Sequence, residues 1–476
     1  MIQELSYKNK FLSKSNYIFL ACIMICTPFI YLMSKNGINL GVFFIGAIGF
    51  MIISILCISN YVIGLYMITI LSFCIFTISR YIDTDIPWGF AIEILLYITT
   101  LGMFVSNKIR NQETKYKLKN PIFIILTIFL IYSIFTVINP EMNSKIGWLI
   151  EIKRFIALYC YFLIIFIGID SLKEQIKYNK LIIILFVIGG VYGCYQHIFG
   201  FFEFENNYIL NSENRKNLYI MITGMKRIFS LFSDPSSLGI SMAGISGMIL
   251  TLFNSEKTIK NKIIYSISIM VCLLTMAFSG TRTAYIAFLS GVIFYILINI
   301  NNATSRLLGF IFLIGFIFIL IVPIYNNTTL NRVRSAFEFS KEASMSVRDN
   351  NRKMIQPYMQ NHPFGGGLGT SEGRGIEFNP RHRLAGFPPD SGLLKTAIEI
   401  GWIGLIIMMV QYFIIFNEGV KSYFSKTNKL DRSLISSSLV CIFIFVVAQY
   451  SQVAVGQIPD SLLFMNAVAI IAKKSH

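Results

Sequence analysis

Residues 121–138 read "PIFIILTIFLIYSIFTVI", eighteen residues without a charge, set between Asn120 and the pair Asn139-Pro140. A helix gaining about 1.5 Å per residue needs roughly 20 mostly apolar residues to cross a bilayer. This block approaches that length, and the pattern recurs along the 476-residue chain. Apolar runs fall at about 16–33, 39–58, 61–79, 88–105, 121–138, 155–170, 181–199, 238–253, 263–278, 284–300, 307–324, 393–416, 433–450 and 459–472. Two of the breaks, "SN" and "SGTRT", are short, so the expectation is an all-α polytopic membrane protein of about 12–14 transmembrane helices. Composition agrees. Hydrophobic residues make up 55% and charged residues 14%, whereas a soluble domain carries about 25% charged.

The net charge of +17 would suggest nucleic acid in a soluble protein. Here Lys gathers in "SNKIRNQETKYKLKN", "DSLKEQIKYNK", "NSEKTIKNK" and "NEGVKSYFSKTNKLDR", which are alternate loops. The basic "SYKNKFLSKSN" near residue 1 and "KKSH" near residue 476 fall on the same side, while intervening short loops are poor in basic residues. Basic loops stay cytoplasmic, so both termini are expected there, with membrane lipids as partners and no nucleic acid. All eight Cys lie in apolar runs without Cys-x-x-Cys spacing, which argues for small buried hydrophobes. No small-residue cleavage site follows the first apolar block, so it is expected to be retained. Four regions result: N-terminal helices over 1–199, helices with Arg-bearing outer loops over 200–324, a long outer loop over 325–392 before the last three spans, and C-terminal helices over 393–476.

Arginine marks the outer side. Arg215, Arg227, Arg282, Arg332, Arg334, Arg348, Arg352, Arg374, Arg381 and Arg383 all fall there, whereas the inner loops use mainly Lys. The planar guanidinium grips phosphate or carboxylate with two parallel hydrogen bonds, which ammonium cannot. Arg282 sits in the hairpin "SGTRT" beside Ser279, Thr281 and Thr283, at a helix start suited to an anion. Arg227 precedes "SDPSS", in which Asp234 or Ser236 is expected to cap the next helix. The glycines of "NHPFGGGLGTSEGRG" allow tight turns but lack the Lys-Ser/Thr of a nucleotide-binding loop. His382, between Arg381 and Arg383, should favour its neutral form. Glu399 is a carboxylate inside an apolar run, and Gly401 and Gly404 allow close helix packing. Asp390, in "FPPDSGLLKTA", sits where the loop ends and a helix begins; as a cap or as a base it fits equally.

Four motifs in order, "MKRIFSLFSDPSSLGI", "FSGTRTAYIAF", "SVRDNNRKMIQPYMQNHPFGGGLGT" and "PDSGLLKTAIEIGWIGL", make the chain resemble the O-antigen ligase and Wzy polymerase superfamily over about 215–405. The resemblance implies a GT-C-type membrane glycosyltransferase needing no metal or other cofactor, with a glycan on undecaprenyl pyrophosphate as donor. It implies that Arg227 and Arg282 hold the pyrophosphate and that Arg348 is the loop arginine ahead of the glycines. Arg352, Arg374, Arg383, His382, Ser279, Thr281 and Glu399 are further candidates for binding pyrophosphate or glycan. Where ligases carry His, nine residues before Glu399, this chain has Asp390 followed by Ser391, which turns the expectation toward a polymerase with Asp390 as general base. The alternatives are a ligase that moves glycan from the carrier to lipid A-core or protein, and a lipid-linked glycan flippase. A chain-length regulator and a flippase of the same pathway are candidate partners. The expected location is the bacterial inner membrane, with chemistry on the outer face.

Overall fold

The computed structural model describes residues 38–82, 88–106, 117–220, 224, 226–322, 328–335, 337 and 343–475. The span expected at 16–33 and the only Asp-x-Asp pair ("YIDTDIP") lie outside the described residues. The chain is an all-α polytopic membrane protein. Its first half holds α1 (Ile38–Ser59), α2 (Tyr61–Ile82), α3 (Gly89–Val105), α4 (Pro121–Phe135), α5 (Ile146–Leu163), α6 (Leu172–Phe199) and the short α7 (Glu203–Leu210) and α8 (Glu213–Tyr219). Then come α9 (Pro235–Ser255), α10 (Ile259–Phe278), α11 (Arg282–Ile298) and α12 (Ala303–Ile321). The long loop folds into α13 (Thr328–Ser335), α14 (Ala343–Asn361) and α15 (Glu372–Phe378). Last come α16 (Gly392–Glu399), α17 (Gly401–Ser425), α18 (Lys429–Ala448) and α19 (Asp460–Lys474).

Among the described residues, eight helices are long and apolar enough to cross a membrane, and 46–59, 89–105 and 282–298 are shorter apolar helices. Helices α9 and α18 form the centre. The apolar window of α9 is 83% buried, against 17% for peripheral α12. The two meet closely because Gly244 and Gly247 leave room for Phe445 and Ile444. Ile311, Ile314 and Phe318 of α12 are exposed, as are Ile263, Ile267 and Met270 of α10. Such apolar faces are unfavourable in water and suit lipid.

Local chemistry sets the helix starts. Asn120 Oδ1 accepts from Ile122 N at 2.8 Å, with Pro121 at the first position, while its Nδ2 reaches Ala472 O at the end of α19. Asp234 Oδ1 caps α9 through Ser236 N and Ser237 N at 2.8 and 3.0 Å, as expected. Three boundaries differ from expectation, one being the helix expected from 181, which begins at Leu172. The span expected from 155 begins at Ile146, because Lys153 and Arg154 are accommodated inside the bundle: Lys153 Nζ meets Glu93 at 3.0 Å, and Arg154 pairs with Glu151 at 3.8 Å and donates to Gly456 O at 3.1 Å. The run expected over 393–416 is two helices. Gly401 takes φ +83°, a left-handed conformation open chiefly to glycine. The carbonyls freed by the break are not wasted. Ile398 O and Glu399 O accept from Gly366 N and Gly367 N at 2.8 and 2.9 Å, and Trp402 N donates to Pro363 O at 2.9 Å. The glycine loop thus plugs the break, as helix ends require of whatever surrounds them.

Candidate active site

The helix start at 390–392 decides what Asp390 is free to do. Ser391, not Asp390, is the cap: its Oγ accepts from Leu394 N at 3.4 Å and donates to Gln449 O at 3.0 Å. Among the described residues, the Asp390 carboxylate accepts only a side-chain amide, Asn351 Nδ2 at 3.1 Å, and it lines a cavity of about 590 Å³. Arg374 and Glu399 line the same cavity. Arg374 is ion-paired with buried Glu151, and Lys395 with Glu372 at 2.9 Å. Glu399 accepts from the hydroxyl and the backbone N–H of Ser371, anchoring the start of α15 beneath the bundle. That is the role of a structural tie.

The second group gathers around the turn that opens α11. Arg227 donates from Nε to Ser279 O at 3.1 Å, from Nη2 to Thr281 Oγ1 at 3.1 Å, and to Leu218 O at 3.4 Å. Arg332 Nε donates to Gly280 O at 3.2 Å. Two guanidiniums thereby clamp consecutive residues just ahead of Arg282, and all three arginines bear electrostatically on Tyr285. Burial, and then the charge of Arg332, pull the Arg227 pKa below its usual value; burial does the same to Arg332. Crowded cations in a half-buried place favour an anion between them. The hydroxyls of Ser279 and Thr281 are committed internally, donating to Met276 O and Pro235 O at 2.8 Å each. They hold the turn's shape and have no proton left for an anion in this conformation.

One loop joins the two groups. Gln449 O takes Ser391, next to Asp390, while Ser451 Oγ meets Thr283 Oγ1, next to Arg282, at 2.8 Å. Its neighbour Tyr450 receives Arg352, which donates to the ring hydroxyl and the carbonyl at 3.1 and 3.2 Å. Arg352 is thus a strut between α14 and this loop. Arg227 reaches the cavity edge through Leu218, a lining residue. His382 and Arg383 stand elsewhere. His382 Nδ1 accepts from Leu384 N at 3.1 Å, and its Nε2 faces Glu141 at 3.5 Å. Burial lowers its pKa despite Glu141, so the imidazole is held toward the neutral form. The Arg383 guanidinium lies 5.7 Å from the centre of the Tyr358 ring, whose hydroxyl donates to Glu141 at 2.7 Å. The side chain of Arg348 lies outside the described residues. Among the described residues, no group of His, Cys, Asp and Glu is arranged to hold a metal ion.

A second cavity of about 750 Å³, almost wholly apolar, lies among α10, α11, α12 and α13. Phe278, Phe288, Phe312 and Leu330 line it, and so does Tyr285, where the three arginines act. The apolar space thus ends against the cationic turn. Sequence reasoning did not select Arg332 for the site, and it missed Glu141, Glu151, Arg154, Lys395 and Asp460. For Asp460 a signal existed: Asp234, Asp390 and Asp460 each adjoin a proline at the start of an apolar run.

Residues 267–409 match the family described as O-antigen ligase (Wzy_C). The match runs from α10 into α17, and takes in Arg282, Arg332, the glycine loop and Asp390, leaving Arg227 and Asp460 outside. No curated protein matches the chain.

Proposed function

We propose that this chain, a member of the O-antigen ligase/Wzy-type superfamily through residues 267–409, polymerises lipid-linked oligosaccharide repeat units into a surface polysaccharide. The donor glycan rides on undecaprenyl pyrophosphate in the bacterial inner membrane, with both chain termini cytoplasmic and the chemistry on the outer face. The observation that carries the proposal is the release of Asp390 from capping by Ser391, which leaves its carboxylate in a cavity shared with Glu151, Arg374 and Lys395, one loop away from the arginine turn.

The chemistry follows from the two groups. An acceptor hydroxyl oxygen attacks C1 of the donor sugar, and the bond from C1 to the pyrophosphate oxygen breaks. The hydroxyl proton passes to Asp390, acting as general base. The leaving lipid pyrophosphate takes the electron pair and gains negative charge, which Arg282, Arg332 and Arg227 offset where it develops. Charge supplied by fixed guanidiniums makes a metal unnecessary in this scheme. The apolar cavity ending at Tyr285 suits the isoprenoid chain, since its length of hydrocarbon and the arginines match the two halves of one amphipathic ligand.

Asp390 in place of the ligase His favours polymerase over transfer to lipid A-core or protein. A flippase would need charged side chains along a path through the bundle, whereas Arg227 and Arg332 gather on the single turn that opens α11. Deleting the gene and running the surface polysaccharide on a gel tests the proposal. Single repeats still attached to the envelope are expected; loss of attached glycan, with long polymer kept on the carrier, would mean a ligase.

A further inference from the structure

Arg80 follows the apolar run 61–79 in the sequence, where it reads as a charge at the edge of a loop. In the structure it lies on α2 and is 3% exposed. A charge buried among membrane helices is costly and has to be met by polar groups. Arg80 spends its donors on one turn. Its guanidinium donates to Ser230 O at 2.9 Å, to Phe232 O, and to Ser233 O at 3.2 Å, and it lies 4.1 Å from the centre of the Phe229 ring. From α6, Gln196 Oε1 accepts from Phe229 N and Ser230 N at 3.3 and 2.8 Å. Glu205 accepts from the Gln196 amide at 2.7 Å and so fixes which way it faces. The turn needs this grip, because Ser230 takes φ +51°, a left-handed conformation unfavourable for a residue with a side chain.

Arg227 lies at one end of this turn, and Asp234, the cap of α9, at the other. Tyr219 couples Arg80 to Arg227. Its hydroxyl accepts from Arg80 and donates to Ser233 O at 2.8 Å, while its carbonyl accepts from Arg227 N at 2.7 Å. The preceding carbonyl, Leu218 O, takes the Arg227 guanidinium itself at 3.4 Å. The backbone of Arg227 is thereby fixed, and from that point its guanidinium reaches Ser279 O and Thr281 Oγ1. Arg80 and Arg227 both lie outside residues 267–409, so the first half of the chain reaches the arginine turn through this chain of contacts.

We propose that Arg80 is a positioning residue: by holding the turn over 229–233 it sets the Arg227 guanidinium where the leaving pyrophosphate gains charge. The assignment rests on the polymerase function above. The test uses the purified full-length protein in nanodiscs, with lipid-linked oligosaccharide from the deletion strain as substrate. Arg227→Ala should lower kcat about 10²–10³-fold, the scale of one donor lost from a developing negative charge. Arg80→Gln keeps one amide where the guanidinium served three carbonyls. It should lower kcat about 10²-fold, the scale of a catalytic group displaced by about 1 Å. Tyr219→Phe removes only the hydroxyl and should lower kcat about ten-fold; should Arg80→Gln fail to fold, Tyr219→Phe decides alone. The double variants separate positioning from a merely structural role. In an Arg227→Ala background neither change should lower kcat further, because the group it positions is gone, whereas structural damage would multiply the two losses. Wild-type kcat in the folded single variants, or losses that multiply with that of Arg227→Ala, overturns the positioning role and leaves the polymerase function standing. If Arg227→Ala keeps wild-type kcat, or if no lipid-linked oligosaccharide accumulates, the polymerase scheme itself fails and takes this assignment with it.

Discussion

Asp390→Asn separates catalysis from folding at one helix start. The substitution keeps shape and keeps an oxygen able to accept from Asn351 Nδ2, which among the described residues is the side-chain hydrogen-bond partner of Asp390, at 3.1 Å. The cap belongs to Ser391, so α16 keeps its first turn. Stability should change by less than about 1 kcal/mol, the scale of one half-exposed hydrogen bond. Activity is another matter. A general base contributes about 10²–10⁴ in rate, or roughly 3–5 kcal/mol of barrier, and an amide cannot take the proton. Ser391→Ala should do the reverse. It removes the cap and the bond to Gln449 O at 3.0 Å, together about 2 kcal/mol, while the carboxylate remains and activity falls far less. The assay is complementation of the deletion strain, with chain length followed on gels, protein level by immunoblot of membranes, and melting of the purified protein. Long polymer at wild-type levels from Asp390→Asn would refute the base role. So would an Asp390→Asn protein that melts as low as Ser391→Ala, since the loss would then be structural.

Two further outcomes follow from the turns on either side. Arg282→Ala should abolish polymer, and Arg282→Lys should restore little, because an ammonium lacks the fork that grips two phosphate oxygens; full rescue by Lys in the same complementation assay would argue against bidentate binding. Gly401→Ala forces an L residue into φ +83° against the carbonyl of Pro363, at about 1–2 kcal/mol for the left-handed backbone alone. Melting should drop by several degrees and polymer should shorten as the glycine loop shifts; an unchanged melting curve would show that the break between α16 and α17 does not depend on this residue.

The architecture was legible because lipid demands long uninterrupted apolar helices, and 121–138 displays one outright. What escaped was chemistry that depends on distant partners. Lys153 and Arg154 look like the end of a loop until Glu93 and Gly456 are seen beside them. Gly401 and Gly404 suggest one packing surface, yet only Gly404 lies against another helix, near Tyr132 of α4, while Gly401 reverses the backbone. Arg227 and Arg282 were identifiable from their motifs, but the part of Arg332 was not, because the contact that brings it to Gly280 spans 52 residues.

The loop between α18 and α19 carries a consequence for how the protein is made. It touches the neighbours of Asp390 and Arg282 and receives Arg154 and Arg352. Membrane helices are delivered in the order of synthesis. The arginine turn and the Asp390 helix start are therefore laid down early but stay unconnected until the ribosome has passed residue 448. On the proposed function, a nascent chain offers the apolar cavity before Asp390 and the arginine turn are joined. Chains that stop short of that loop are therefore expected to lack the proposed activity.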